Sequence, residues 1–192
     1  MRAFIGIWLP DEARRAVAHL QNELAASQAD VKWVDPPLLH LTLKFLDEIS
    51  ETQRVAVEQL LFRIAHEEPS FQLELKGVGA FPSSRAPRVV WAGIEEGKAA
   101  VTRIAEAIER EGAAISLRKE ERPFSAHLTI GRVRSLRGRS ALAQQLETIR
   151  WEPPAPWRVS SLTLYQSVLS SSGPTYTALA DFRLQTSDSR HQ

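Results

Sequence analysis

The sequence predicts an α+β fold in which two duplicated lobes carry largely antiparallel sheets that face a central cleft, with the helices on the outside. Three observations support this prediction. A short His-x-Thr motif occurs twice, at His40 and at His127. The same order of helix, motif strand, helix and two strands surrounds both copies. Strands come in consecutive, hairpin-like pairs with single helices between them, which favours antiparallel sheets over a doubly wound parallel sheet.

The first half of the chain begins with a strand and an amphipathic helix. The apolar run from Phe4 to Trp8 predicts the strand, and Pro10 suits the start of the helix. Ser50 and Gln53 have the spacing of a capping box, which predicts that a second helix begins there. The periodic positions of this half are Ala13, Val17, Leu20 and Leu24 in the first helix, Val57, Leu60, Leu61 and Ile64 in the second, and the strand-like runs Phe71 to Val78 and Arg88 to Ile94.

The second half repeats this order from about Gly97. We therefore predict one bilobal domain over residues 1–185, whose lobes share the cleft, followed by a disordered tail at 186–192 because that segment is polar. The predicted elements are a helix with Val101, Ile104 and Ile108 that ends near Gly112, the second motif strand from Ala126 to Val133, a short helix with Leu142, Leu146 and Ile149, and two strands from Trp157 to Val168 and from Tyr176 to Leu184.

Composition excludes several classes of protein. Lys and Arg together number 24 against 23 for Asp and Glu, so the overall charge gives no electrostatic case for a DNA-coating protein. The absence of Cys excludes a thiol nucleophile, a disulfide framework and cysteine-ligated metal centres. The first apolar stretch is too short for a membrane span and lacks a signal-peptide cleavage site, so we expect a cytoplasmic monomer that does not bind membranes.

The paired motifs predict two chemical strand faces. Successive side chains of a strand alternate between its faces, so each His shares a face with the Thr two positions later. The apolar neighbours then point towards the core. The chemical faces are His40 with Thr42 and His127 with Thr129, and the core positions are Leu41, Leu43 and Phe45 in the first strand and Leu128 and Ile130 in the second.

Two histidines on opposite sides of a small substrate suit in-line displacement at phosphorus. One neutral imidazole can activate the nucleophile while the other, protonated, supplies a proton to the leaving oxygen, with no metal or cofactor required. Threonine hydroxyls on the same faces can donate hydrogen bonds to phosphate oxygens. Strict alternation would turn Arg132 away from His127, so its participation requires an irregular strand near Gly131. The nearby basic candidates are Arg132, Arg134, Lys44, Arg85 and Arg88.

Three stretches carry a resemblance to a known family. They are His40-Leu41-Thr42-Leu43-Lys44-Phe45-Leu46, the segment from Phe81-Pro82 to Pro87-Arg88-Val89-Val90-Trp91-Ala92-Gly93, and Phe124-Ser125-Ala126-His127-Leu128-Thr129-Ile130-Gly131-Arg132. The chain resembles the 2H phosphoesterase superfamily, and within it the RNA 2′,3′-cyclic phosphodiesterase branch, also called the 2′-5′ RNA ligase family. The opening Arg2-Ala3-Phe4-Ile5 and the pair Leu164-Tyr165-Gln166-Ser167 and Gly173-Pro174-Thr175-Tyr176 add to it, so that the resemblance extends to about Leu184.

The resemblance implies a bilobal enzyme that opens a terminal 2′,3′-cyclic phosphate of RNA, or of a small nucleotide, to a 2′-phosphate without a metal. It implies that His127 orients the attacking water as base and that His40 protonates the leaving 3′-oxygen. It also implies that Thr42, Thr129 and Arg132 hold the phosphate. The reverse reaction, with a ribose hydroxyl in place of water, would give 2′-5′ ligation.

The chain departs from the family pattern at two positions. Asp47 stands where the family usually has Gly, and Ala126 where it usually has Pro, so we expect altered loops and unchanged chemistry. A nucleotide- or RNA-binding module with little turnover is the alternative function. Phe45 is either a core residue or a contact to a nucleobase, and Trp8 is expected in the core.

Two further groups of residues have a plain structural interpretation. The arginines from Arg132 to Arg139 form either a track for an RNA backbone or a solvated loop. The other three histidines, which lack a paired threonine, are expected to be structural or solvent-exposed; they are His19, His66 and His191.

Overall fold

The computed structural model describes residues 1–186, which contain ten strands, four α-helices and two 3₁₀ turns. The strands are β1 (Arg2–Trp8), β2 (Val31–Trp33), β3 (His40–Glu48), β4 (Phe71–Leu73), β5 (Leu75–Phe81), β6 (Val89–Ile94), β7 (Leu128–Val133), β8 (Trp157–Val159), β9 (Ser161–Ser170) and β10 (Gly173–Arg183). The helices are α1 (Asp11–Ala25), α2 (Glu51–Glu67), α3 (Lys98–Gly112) and α4 (Arg139–Thr148), and the 3₁₀ turns are Pro36–Leu38 and Ala113–Ile115.

Two four-stranded antiparallel sheets dominate the fold. The first has the strand order β10-β9-β1-β3 and the second has the order β2-β7-β6-β5. A separate ribbon pairs β4 with β8. The predicted α+β class with antiparallel sheets is therefore confirmed.

Each sheet contains strands from both halves of the chain. The first motif strand, β3, shares its sheet with the β9–β10 hairpin from the second half. The second motif strand, β7, shares its sheet with the β5–β6 hairpin from the first half. The two sequence halves therefore exchange their hairpins, and neither sheet forms from one half alone.

Two predicted strands are each divided into two in the structure. The run from Phe71 to Val78 contains β4 and β5, and the run from Trp157 to Val168 contains β8 and β9. The division has a physical reason, because β4 and β8 pair with each other while β5 and β9 join the two large sheets. The three-residue strand β2 was not predicted, and β7 begins at Leu128, two residues later than expected.

The helices pack their predicted apolar faces into one buried cluster. The capping box of α2 is present: the Ser50 hydroxyl accepts from the Gln53 amide at 3.1 Å, and the Gln53 side chain accepts from the Ser50 amide at 3.1 Å. No helix among residues 1–186 is long and apolar enough to cross a membrane. The predicted disordered tail falls, apart from Thr186, outside the described residues.

Candidate active site

Both motif histidines are held in the same way by the backbone. The His40 Nδ1 donates to the Leu38 carbonyl at 2.7 Å, and the His127 Nδ1 donates to the Ser125 carbonyl at 2.6 Å. A carbonyl oxygen only accepts, so Nδ1 carries a proton in each ring. Nε2 is therefore the nitrogen that changes its protonation state in both histidines.

His40 lies in an aromatic enclosure. Its ring stacks on Phe4 at 4.6 Å between centroids, lies parallel to Trp8 at 6.1 Å, and meets the edge of Tyr176 at 5.2 Å. Burial among these rings lowers the pKa of His40, and the hydrogen bond to Leu38 offsets part of that effect. Trp8 was predicted to lie in the core, which is wrong, because its side chain is only half-buried. Its ring instead belongs to the aromatic group around His40.

Thr42 lies beside the reactive nitrogen of the first motif. Its hydroxyl oxygen is 3.0 Å from His40 Nε2. The neutral imidazole can accept a hydrogen bond from this hydroxyl, and the imidazolium can donate one to it. The predicted shared face of His40 and Thr42 is therefore present in the structure.

His127 precedes the first residue of β7 and is less enclosed than His40. The edge of Phe81 meets its ring at 4.9 Å. Burial lowers the pKa of His127, the hydrogen bond to Ser125 raises it, and the positive charge of Arg132 lowers it further.

A β-bulge follows each His-x-Thr motif. In β3, Thr42 lies opposite Gly6 and Lys44 opposite Ile5, so that Leu43 has no partner. The register of β7 shifts in the same way after Thr129, and Ile130 is the residue left without a partner. An extra residue in one strand reverses the alternation of side chains beyond it.

The bulge in β7 explains the position of Arg132. Ile130 is buried and Gly131 faces Trp33, where an added Cβ would lie 2.7 Å from the indole, so both residues point into the protein. Thr129 and Arg132 then lie on the same face although they are three positions apart. Arg132 is close enough to His127 and Tyr176 for its charge to lower the pKa of both groups.

The corresponding bulge in β3 corrects two predictions. Phe45, expected to alternate into the core, is 51% exposed, while Lys44, a candidate for binding phosphate, is only 4% exposed. The Lys44 ammonium pairs with Glu109 at 2.5 Å and donates to the Arg118 carbonyl at 2.9 Å. Lys44 therefore supports the segment that precedes the second motif and is not available to a ligand.

The two motif strands meet although they belong to different sheets. Residues of β3 contact residues of β7. Tyr176 connects the two motifs, since its ring edge touches His40 and its phenol lies within electrostatic range of Arg132. The structure thus brings the His40 and His127 motifs, with Arg132, to one cleft.

The remaining basic candidates are engaged elsewhere or stand apart. Arg134 and Arg137 pair with Asp30 at 3.1 Å and 3.9 Å, which neutralises part of the proposed RNA track. Arg85 is 91% exposed at its side chain and lies 3.7 Å from Glu147. Arg88 is exposed and, within residues 1–186, its side chain makes no ion pair.

The other histidines lie outside this cleft. His19 lies 3.3 Å from Glu23 on α1, and His66 stacks on Phe62 of α2 with 6.3 Å between centroids. His191 is outside the described residues.

No group of three or more His, Asp or Glu residues within 1–186 is arranged to hold a metal ion.

The local strand pattern does not mark several aromatic residues around the histidines as functional. Phe4, Phe81 and Tyr176 surround the histidines, yet each lies in an ordinary apolar or aromatic strand position. The segments that contain them contribute to the family resemblance, which is the one signal that could have indicated them.

Comparison with known proteins identifies two matching units in the chain. The sequence pattern of the family described as LigT like Phosphoesterase matches residues 7–91 and again residues 93–176. Each match contains one His-x-Thr motif. The internal duplication predicted from the order of the elements is therefore supported by the family pattern itself.

Relatives match this chain over nearly its whole length. The RNA 2′,3′-cyclic phosphodiesterase of Methanothermobacter thermautotrophicus is 33% identical over 184 residues, which cover 96% of this chain and 99% of that protein. A crystal structure from Thermus thermophilus superposes with a TM-score of 0.79 at 30% identity, covering 97% of this chain and all of that one. The structure of Escherichia coli LigT complexed with 3′-AMP has a TM-score of 0.77 at 28% identity, covering 96% and 98%. On these matches, the chain belongs to the LigT-like phosphoesterase family of the 2H superfamily.

Proposed function

We propose that this protein hydrolyses the terminal 2′,3′-cyclic phosphate of RNA ends, or of small nucleotides, to a 2′-phosphate. The observation that carries the proposal is the matched pair of histidines, each with Nδ1 bonded to a carbonyl and Nε2 left to exchange protons. The relatives named RNA 2′,3′-cyclic phosphodiesterase support the choice of substrate.

In the proposed reaction, water attacks phosphorus on the side opposite the 3′-oxygen. His127 Nε2 takes the proton of that water, and its lower enclosure suits a position next to solvent. The bond between phosphorus and the 3′-oxygen breaks, and His40 Nε2 gives its proton to the departing oxygen. The product keeps its phosphate on the 2′-oxygen, and the two histidines end with exchanged protonation states. Loss of the proton from His127 to solvent and uptake of a proton by His40 then restore the starting enzyme.

We assign the binding of the phosphate to Thr42, Thr129 and Arg132. The threonine hydroxyls donate to the non-bridging oxygens, and the guanidinium neutralises the charge that grows on them in the transition state. Within residues 1–186 the Arg132 side chain makes no hydrogen bond or ion pair, so its donors are available to a ligand. Thr42 would exchange its contact with His40 for one with the substrate.

Phe45 takes the remaining position on the cleft face of β3, where it offers an exposed ring to the ribose or the base of the substrate. Ligation that forms a 2′-5′ bond is the reverse of the proposed reaction. It passes through the same kind of transition state, with a ribose hydroxyl in place of water.

We take residues 1–185 as one catalytic domain. This proposal is supported by the exchange of hairpins between the two halves of the chain.

The test is the turnover of a short RNA that ends in a 2′,3′-cyclic phosphate. Replacing His40 or His127 with Ala should lower kcat by about 10²–10⁴-fold, the usual contribution of a general acid or base. His19→Ala, which removes an exposed histidine from α1, serves as the control and should leave kcat unchanged. Full activity in either motif variant would overturn the assignment, and tight binding without turnover in the unaltered protein would favour a binding module.

A further inference from the structure

The face of β1 that borders the cleft ends in an arginine without an assigned role. The register shifts between β1 and β3 leave extra residues in β3, so β1 itself alternates regularly. Ala3, Ile5 and Ile7 are buried in the core, and Phe4 points to the opposite face, against His40. Arg2, two positions before Phe4, therefore lies on the cleft face, about 7 Å along the strand from Phe4.

Arg2 is exposed and its donors are unused. Within residues 1–186 its guanidinium makes no hydrogen bond or ion pair. The carboxylate nearest to it in register belongs to Glu48, but that group pairs with the Met1 ammonium at 3.1 Å. An arginine left unpaired beside a cleft is a ready partner for an anion.

Tyr176 relates Arg2 to the two motifs. The Tyr176 ring meets Phe4 edge-on at 4.9 Å and His40 at 5.2 Å. Burial raises the pKa of the Tyr176 phenol, and the positive charges of Arg132 and Arg2 offset part of this rise. Both guanidiniums thus lie within electrostatic range of one phenol, and the cleft carries two separate positive groups.

We propose that Arg2 forms a second anion subsite, which binds the phosphate on the 5′ side of the terminal nucleotide while Arg132 binds the cyclic phosphate. This inference rests on the proposed function and extends it to substrate preference. A nucleotide at the end of an RNA chain carries both phosphates, whereas a free nucleoside 2′,3′-cyclic phosphate carries only one. Arg2 therefore selects RNA ends and 5′-phosphorylated nucleotides over simple cyclic mononucleotides.

A pair of substrates that differ by one phosphate tests this subsite. Adenosine 2′,3′-cyclic phosphate with a 5′-phosphate should have a kcat/KM about tenfold above that of the same nucleotide without it, a difference expected for one charge-assisted contact. Arg2→Gln should abolish this preference and leave the simpler substrate unchanged, while Arg2→Lys should retain part of it. Arg110→Gln removes one exposed arginine from α3 and should retain the whole preference.

The salt dependence of kcat/KM provides a second readout. One phosphate contact to a single strand contributes about 0.7 to the slope of log affinity against log salt concentration. Arg2→Gln should therefore reduce the slope by about that amount on a short RNA that ends in a 2′,3′-cyclic phosphate, and leave it unchanged on adenosine 2′,3′-cyclic phosphate. An equal loss on both substrates would overturn the subsite, because Arg2 would then act on the cyclic phosphate or on the shape of the site. Unchanged kinetics on both substrates would overturn it as well.

A binding measurement separates this inference from the proposed function. Calorimetry with adenosine 3′-monophosphate and adenosine 3′,5′-bisphosphate requires no turnover. If the protein hydrolysed neither cyclic substrate, the proposed function would fail, but a bisphosphate affinity that Arg2→Gln selectively weakens about tenfold would still support the anion subsite. Equal weakening of both ligands, or of neither, would contradict it.

Discussion

Thr129 and Arg132 lie on one face of β7 because Ile130 is the extra residue of a β-bulge. The same irregularity after the first motif places Thr42 and Phe45 on one face of β3. The duplicated strands therefore present the same local geometry with different side chains. One motif is followed by a guanidinium and the other by an aromatic ring, which gives a symmetric scaffold an asymmetric site.

Arg132→Gln should lower kcat/KM by about 10²-fold, because under the proposed function it removes a charge that acts on the phosphate in the transition state. Arg134→Gln makes the same charge change two residues later, at a side chain paired with Asp30. That control should retain kcat/KM within about threefold. Steady-state kinetics on a cyclic-phosphate substrate would measure kcat/KM for both variants. An equal loss of kcat/KM in both would show that the total positive charge of this segment matters, and not the position of Arg132.

Phe45→Ala should raise KM about tenfold at an unchanged kcat, since base stacking contributes about 1–3 kcal/mol and is present in both the ground state and the transition state. Phe62→Ala is a suitable control, because Phe62 is 66% exposed on α2. A Phe45 variant whose KM equals that of the unaltered enzyme would remove this residue from the substrate site.

The pH dependence of kcat/KM follows from the two lowered histidine pKa values. A bell-shaped profile reports the free enzyme, with one histidine neutral and the other protonated at the optimum. Because burial places the pKa of both groups below 6.5, the maximum should lie below pH 6.5. An optimum above pH 7 on kcat/KM would contradict the enclosure of these rings.

The same shifts make the folded state less stable in mild acid. Below pH 6.5 the unfolded chain binds protons on these histidines before the folded protein does, so the free energy of unfolding falls as the pH drops through this range. The contribution is fully present above pH 6.5. Urea titrations measure this free energy at each pH. Between pH 6.5 and 5.5 it should fall less steeply in His40→Ala than in the unaltered protein, because one of the two histidines is missing.

Asp47 has φ = 54°, in the left-handed region that glycine occupies without strain. Asp47→Gly should therefore keep the free energy of unfolding within about 1 kcal/mol, since the exposed contact to Arg118 contributes little. Asp47→Val should cost about 1–2 kcal/mol, because a branched side chain is strained in this conformation. Chemical denaturation of the two variants would measure the difference, and equal stabilities would contradict the assigned strain.

The resemblance implies glycine at the position of Asp47. The positive φ of Asp47 is a physical reason why glycine would suit this position. Aspartate tolerates the same region better than most residues, and Asp47 remains paired with Ala3 within β3.

The sequence could predict the features of the fold that depend on local periodicity and on the internal repeat. The faces of the helices, the capping box at Ser50 and the His-x-Thr pairs follow from spacing along the chain. The exchange of hairpins between the halves could not be predicted, because strand pairing between distant segments leaves no local pattern. The bulge in β3 was also missed: alternation placed Phe45 inside and Lys44 outside, and one extra residue at Leu43 reverses both.

The most direct measurement concerns the product formed from an RNA that ends in a 2′,3′-cyclic phosphate, in the presence of EDTA. Chromatography that separates 2′- from 3′-phosphate ends identifies the bond that is broken. Two histidines acting on opposite sides of phosphorus predict 2′-phosphate alone, at a rate that EDTA leaves unchanged and that His40→Ala and His127→Ala each reduce. A 3′-phosphate product, or a rate lost with EDTA and restored by added metal, would contradict the account.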